Sequence, residues 1–137
     1  MKDHEGALQK ALIAWLKADV GLQALLGDPA RIWDQPPVDP AWPHLTVGRS
    51  ESRSVNADGC GVEHRIGLTC VSRFGGTEEA RAVAAAVRAR LHEAVLEADG
   101  VKTANLRVTF TDVFRAPDLK RTYAVVRLRA VTEETED

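Results

Sequence analysis

The clearest alternation of apolar and polar positions lies between Val62 and Leu96. Ile66, Leu68 and Cys70 alternate with Arg65, Gly67, Thr69 and Val71, the two-residue period of a strand with one buried face. Gly75-Gly76 ends it, because glycine reaches backbone angles closed to other residues. Thr77 reads as a helix N-cap, with Glu78 and Glu79 in the first turn where carboxylates favour the helix dipole. Ala80, Val83, Ala84, Val87, Leu91, Ala94 and Val95 then recur at three- and four-residue steps. That spacing predicts a helix over about 77–97, with a narrow alanine-rich stripe opposite Arg81, Arg88, His92 and Glu93. A strand feeding such a helix implies close helix-on-sheet packing.

The rest of the chain completes that layer. Leu8, Leu12, Trp15 and Leu16 share one face of a first helix over 6–18. Asp19 caps a second, short helix carrying Leu22, Leu25 and Leu26, which Gly27 closes and Asp28-Pro29 terminates. Arg31 to Asp34 is a short extended piece. Four prolines between Gln35 and Pro43 rule out a central strand there and predict a stiff surface crossing, with Trp33 and Trp42 pinning it. His44 to Arg49 reads as a strand. The segment around 49–61 is polar and predicts a long β-hairpin or loop. After Asp99-Gly100, Leu106, Val108 and Phe110 alternate along a strand that continues through Val113 and Phe114. A turn at Ala116-Pro117-Asp118 leads to a last strand, with Ala124, Val126, Leu128 and Ala130 on one face. The prediction is one α+β domain over 1–137. It has a roughly four-stranded, mostly antiparallel sheet with the helices on one face, and ends that fray over 1–5 and 133–137. The other face carries Val71, Val113, Val125 and Val131 among Arg and Thr, a mixture that suits contact with another subunit.

Composition narrows the function by exclusion. Eighteen basic and twenty acidic residues nearly cancel, so net charge gives no general attraction to DNA or anionic membranes. No apolar run approaches the roughly 20 residues of a membrane span, and the polar start, Met1 to Gly6, does not read as a signal peptide. Two cysteines, Cys60 and Cys70, make neither a disulfide framework nor a zinc site, which fits a chain matured in a reducing cytosol. Cys70 reads as a small buried residue, and Gly59-Cys60-Gly61 as a plain loop without a basic partner for a reactive thiol.

No catalytic signature is present: no G-x-S-x-G, P-loop, H-E-x-x-H or dinucleotide fingerprint. His4, His44, His64 and His92 lack metal-ligand spacing, and structural roles are expected for them. Glu63 and His64 adjoin, but neighbours on a strand face opposite ways, so they do not make a general-base pair. The arginines at 81, 88 and 90 read as a solvated helix face, while Arg127 and Arg129 are placed to pair with carboxylates across strands. No cofactor, metal or enzymatic activity is expected.

In their order and spacing, several pieces of the chain resemble the small tail-completion proteins, or tail terminators, of the head–tail module. These occur in long-tailed phages, prophages and bacterial gene transfer agents. The pieces are A-L-Q-K-A-L-I-A-W-L-K-A-D with L-Q-A-L-L-G, R-I-W-D-Q-P-P, W-P-H-L-T-V-G, the strand–G-G–helix run E-H-R-I-G-L-T-C-V-S-R-F-G-G-T-E-E-A-R, and R-T-Y-A-V-V-R-L-R-A-V-T-E. The resemblance covers about Ala7 to Glu133. It implies a structural protein forming a ring, commonly a hexamer, that caps the tail tube, stops its polymerisation and offers a docking surface to the neck. The implied partners are other copies of the chain, the tail tube protein and a neck or stopper protein. DNA would slide through the lumen without specific binding, and the particle would be assembled in the bacterial cytoplasm.

On that reading, Arg49, Glu51, Arg53 and Asp58 reach the tube or the adjacent subunit, and Arg127 and Arg129 belong to the ring interface. Three rivals make different demands. A head–tail connector or stopper would plug the neck, and a small cytosolic ligand-binding α+β domain would need a pocket with convergent polar groups. A DNA-binding regulator would need a basic surface, which the charge balance disfavours.

Overall fold

The computed structural model describes residues 2–55, 61–73 and 75–135. Helix α1 (His4–Lys17) starts where the Asp3 carboxylate accepts the Gly6 amide proton at 2.9 Å. Its stripe of Leu8, Leu12 and Leu16 is fully buried. Asp19 caps α2 (Val20–Leu26) by accepting from the Leu22 amide, and Gly27, at φ +91°, turns the chain away.

The extended piece after it becomes β1 (Ile32–Trp33), which pairs in parallel with β2 (His44–Val55). Between them, Arg31 ties down the proline-rich crossing by donating to the carbonyls of Pro43 (2.8 Å) and Trp42 (3.3 Å). The rings of Trp33 and Trp42 both pack on His44. Strands β3 (Gly61–Ser72), β5 (Val101–Arg115) and β6 (Thr122–Glu134) are long and antiparallel. The sheet order is β1-β2-β3-β6-β5-β4, where β4 (Glu97–Ala98) is a two-residue edge strand. The sequence predicts about four strands; among the described residues the sheet has six, because β1 and β4 add a short partner at each side. The helices cover one face only, and between them and the sheet lie Leu45, Leu68, Val83, Val87, Leu91, Val126 and Leu128.

Helix α3 (Glu78–Leu91) is shorter than the predicted 77–97. Glu93 adopts φ +53°, the chain turns back toward the sheet, and Leu96 is buried while Val95 is 69% exposed. Leu96 is held there by Thr103, whose hydroxyl accepts from the Leu96 amide at 2.9 Å. Nor is Thr77 a side-chain cap: its hydroxyl accepts from Arg81 instead. The alanines do allow close packing, as Ala80 is 0% exposed. Trp15 and Arg90 lock α1 to α3, each donating to the other's backbone carbonyl, with the guanidinium 3.7 Å from the ring centroid.

Near the two ends the Lys2 amide donates to the Glu134 carboxylate at 3.4 Å. His4 Nδ1 and His64 Nε2 both lie 2.8 Å from the Thr132 hydroxyl, and the Thr135 amide bonds Gly100. A hydroxyl has one proton, so Thr132 donates to one ring and accepts from the other. The Glu134 carboxylate, 3.5 Å from His4 Nε2, favours the proton there, so Thr132 donates to His4 Nδ1 and accepts from His64 Nε2–H.

Burial pushes the His64 pKa down; nearby Glu5 opposes that shift and His4 adds to it. The unfolded ring takes a proton near pH 6.5 while the folded ring resists it, so the stabilisation is complete above that pH and declines as pH falls below it. Two outcomes are expected from denaturant titrations. The unfolding midpoint falls between pH 7.5 and 5.5, and Thr132→Val, which keeps the shape but strands both rings, costs about 2 kcal/mol. A midpoint flat with pH, or a Thr132→Val protein as stable as the parent, would contradict the relay.

Candidate assembly surface

The helices leave the second face of the sheet open. Pairing sets which side chains it shows: from β3, Glu63, Arg65, Gly67 and Thr69; from β6, Tyr123, Val125, Arg127 and Arg129. The register shifts at three places, between Val47 and Ser50 in β2 and between Thr103 and Asn105 and Val108 and Phe110 in β5, and two of these bear on the open face. In β5 the register shifts between Val108 and Phe110, so Phe110 pairs with Arg127 on the open face while Val113 pairs with Ala124 on the core face. Val113 is therefore not among the valines of the open face; Val71, Val125 and Val131 are. In β2 the shift lies between Val47 and Ser50, and beyond it Gly48 to Ser54 is exposed.

The open face is organised around a carboxylate. Glu63 is 5% exposed and accepts from Arg53 Nε on one side and Arg129 Nε on the other, both at 2.7 Å. These two guanidiniums hold the Glu63 carboxyl below the usual carboxylate range. Arg65 and Arg107 lie directly across from Arg129 on its two neighbouring strands. Like charges in facing positions repel, and the Glu63 carboxylate offsets that repulsion for Arg129. Arg49 pairs with Glu51 at 2.6 Å, both well exposed. Arg127 lies over the Phe110 ring, 4.7 Å from its centroid. Further along the face Phe114 stacks on Tyr123.

Between these groups runs a groove of about 470 Å³. Arg49, Arg65 and Arg127 stand around it, and Gly48, Gly67 and Val125 contribute to its lining. A side chain at position 48 would meet the Gly67 carbonyl at 3.3 Å, so glycine there lets β2 and β3 lie close without displacing that carbonyl.

Of the residues singled out from sequence, Arg53 and Arg129 converge on Glu63, Arg49 and Glu51 pair with each other, and Arg127 stands apart on the groove. Asp58 lies outside the described residues, as does Cys60. Sequence reading did not single out Glu63, Arg65, Arg107 or Phe110 for this surface. Alternation alone places Glu63 and Arg65 on one side of β3, but only the strand register brings them beside Arg129.

Other reactive groups sit elsewhere. His64 faces the core and Glu63 the opposite side, as alternation requires. Cys70 is 1% exposed, its thiol pushed up to about 12 by burial. Among the described residues no three His, Cys, Asp or Glu side chains gather as metal ligands, and no helix is long and apolar enough to cross a membrane.

Comparison with curated proteins returns no match. Among solved structures, a chain from the virion of a native gene transfer agent particle is similar at 25% identity, with a TM-score of 0.87 over 97% of this chain and 99% of that one. A second solved chain, at 18% identity and TM-score 0.54 over 96% of this chain and 93% of the other, shares the fold. The family model for tail completion protein gp17 matches residues 10–133, nearly the whole domain from α1 to the end of β6. The chain belongs to the tail completion protein gp17 family.

Proposed function

We propose that the chain is a non-enzymatic structural component of a phage-type or gene-transfer-agent tail. In this reading copies close into a ring, a hexamer, on the head-proximal end of the tail tube. The ring stops tube growth and gives the neck or stopper protein a docking surface, while DNA passes through its lumen. It is assembled in the bacterial cytoplasm and leaves in the virion. The observation that carries the reading is the match over almost the full length of both chains to a protein of a gene transfer agent virion. An open charged sheet face supports it, since a ring needs two complementary surfaces on each subunit rather than a pocket. Arg127 and Arg129 are proposed for the ring interface. The arm carrying Arg49, Glu51, Arg53 and Asp58 is proposed to reach the tube or the adjacent subunit.

Negative-stain microscopy of particles from producer cells lacking the gene tests this. Overlong tubes and unjoined heads, restored by complementation, are the expected result. Tubes of normal length without heads would instead indicate a neck stopper, and normal joined particles would remove the tail reading.

A further inference from the structure

We propose that the groove on the open face receives the acidic edge segment of a second copy, residues 93–99. The proposal rests on the ring reading and identifies the contact that would close it. Most charges on the open face are matched within the subunit: Arg49 by Glu51, and Arg53 and Arg129 by Glu63. Arg65, Arg107 and Arg127 are exposed, and among the described residues no carboxylate lies within ion-pair distance of them. These three guanidiniums outnumber Asp112, an exposed carboxylate on the same face opposite Val125, in a chain whose formal net charge is −2.

The excess of negative charge has a matching location. After α3 the chain runs E-A-V-L-E-A-D, from Glu93 at φ +53° to Asp99 at φ +51°. Glu93, Glu97 and Asp99 are exposed. Asp99 meets Lys10 and Glu97 faces Lys102 across β4 and β5, a lysine that also reaches Glu133 at 3.8 Å, while Glu93 has no ion-pair partner among the described residues. Between them Val95 is 69% exposed, and the segment leads into the edge strand β4. An apolar tip flanked by carboxylates complements a groove with glycines and Val125 in its lining, where Glu51 is paired to Arg49 and the Arg65 and Arg127 guanidiniums have no carboxylate partner among the described residues. The groove lies mid-sheet and the acidic segment at one edge, so one subunit offers both surfaces at separate places. Such a contact is heterologous and propagates head to tail until it closes.

The test uses the purified full chain in a Cys60→Ser background, Cys70 being buried. Arg127→Cys and Glu97→Cys combined should give disulfide-linked dimers and a ladder under mild oxidation, and neither alone should. Independently, Arg127→Glu or Glu97→Arg should each weaken self-association at least about tenfold, and the two together should restore most of it. No linked species from the double cysteine variant, or reversals that do not rescue each other, would overturn the contact. Linkage in solution with normal tails in the deletion strain would leave the contact standing and remove the tail function. Overlong tails without linkage would keep the function and assign the groove to the tube or neck protein instead.

Discussion

Replacing Leu68 with alanine is expected to lower the unfolding free energy by about 3–4 kcal/mol and the melting temperature by about 10–15 °C. Leu68 is 0% exposed on β3, with Val47 and Val126 as its partners on the two flanking strands. A side chain held on both sides by paired strands and covered by helices has no route to collapse into the space an alanine would leave. The control is Val95→Ala, 69% exposed, which in subunits too dilute to associate should change stability by no more than about 0.5 kcal/mol. Calorimetry on the two variants checks both values. If Val95→Ala cost as much as Leu68→Ala, the helix would have to continue past Leu91 and bury position 95.

That pair of residues marks where sequence and structure agree and where they part. The buried faces of β3 and β6 were legible because each alternates without interruption: Ile66, Leu68 and Cys70 on one, Ala124 to Ala130 on the other. The stripe of α3 was legible as far as Leu91. Beyond it Ala94 and Val95 continue the helical spacing, and no glycine or proline marks the turn made at Glu93, so the pattern overran the helix. Strands β1 and β4 are two residues each, too short to carry any period. The bulge at Val108/Phe110 adds a residue on β5 only, which moves Phe110 and Val113 to the faces opposite those an unbroken alternation assigns, and the one at Val47/Ser50 interrupts β2 in the same way. The surface was legible as arginines on β2 and β6. Its centre, Glu63, was not, because a strand's partners are fixed by register rather than by its own residues.

Reversing the charge at Arg127 is expected to abolish head–tail joining while leaving the subunit folded. The side chain is exposed, and its contact with Phe110 is worth only about 0.5–1 kcal/mol at such a site. Complementation of the deletion with Arg127→Glu should therefore yield soluble protein at normal levels but overlong or headless tails, and infectivity or gene transfer reduced by orders of magnitude. Arg129→Glu reads differently. It would set a second carboxylate against Glu63, which is 5% exposed, so lower thermal stability and poor expression are expected along with the assembly defect. If both reversals supported normal particles, neither arginine would belong to a ring interface. If only Arg129→Glu failed, Glu63 would be the reason and the interface would lie elsewhere.

The two-residue strands at the sides of the sheet also bear on how the free subunit must be handled. β1 covers only Leu45 and Thr46 of β2, and β4 only Val101 and Lys102 of β5. From 104 to 115 the outer side of β5 has no strand neighbour among the described residues, and this stretch carries Val108, Phe110, Val113 and Phe114. Such an edge is a template for strand addition, the first step toward fibrils and precipitate. Arg107, Asp112 and Arg115 interrupt it as gatekeepers. Their protection is least effective near the isoelectric point, about 6.1, where molecules no longer repel one another. Shelf life in a purified stock is then set by this strand edge rather than by the core. Storage well above pH 6.1 and at low concentration preserves the protein, and overproduction without its assembly partners favours inclusion bodies.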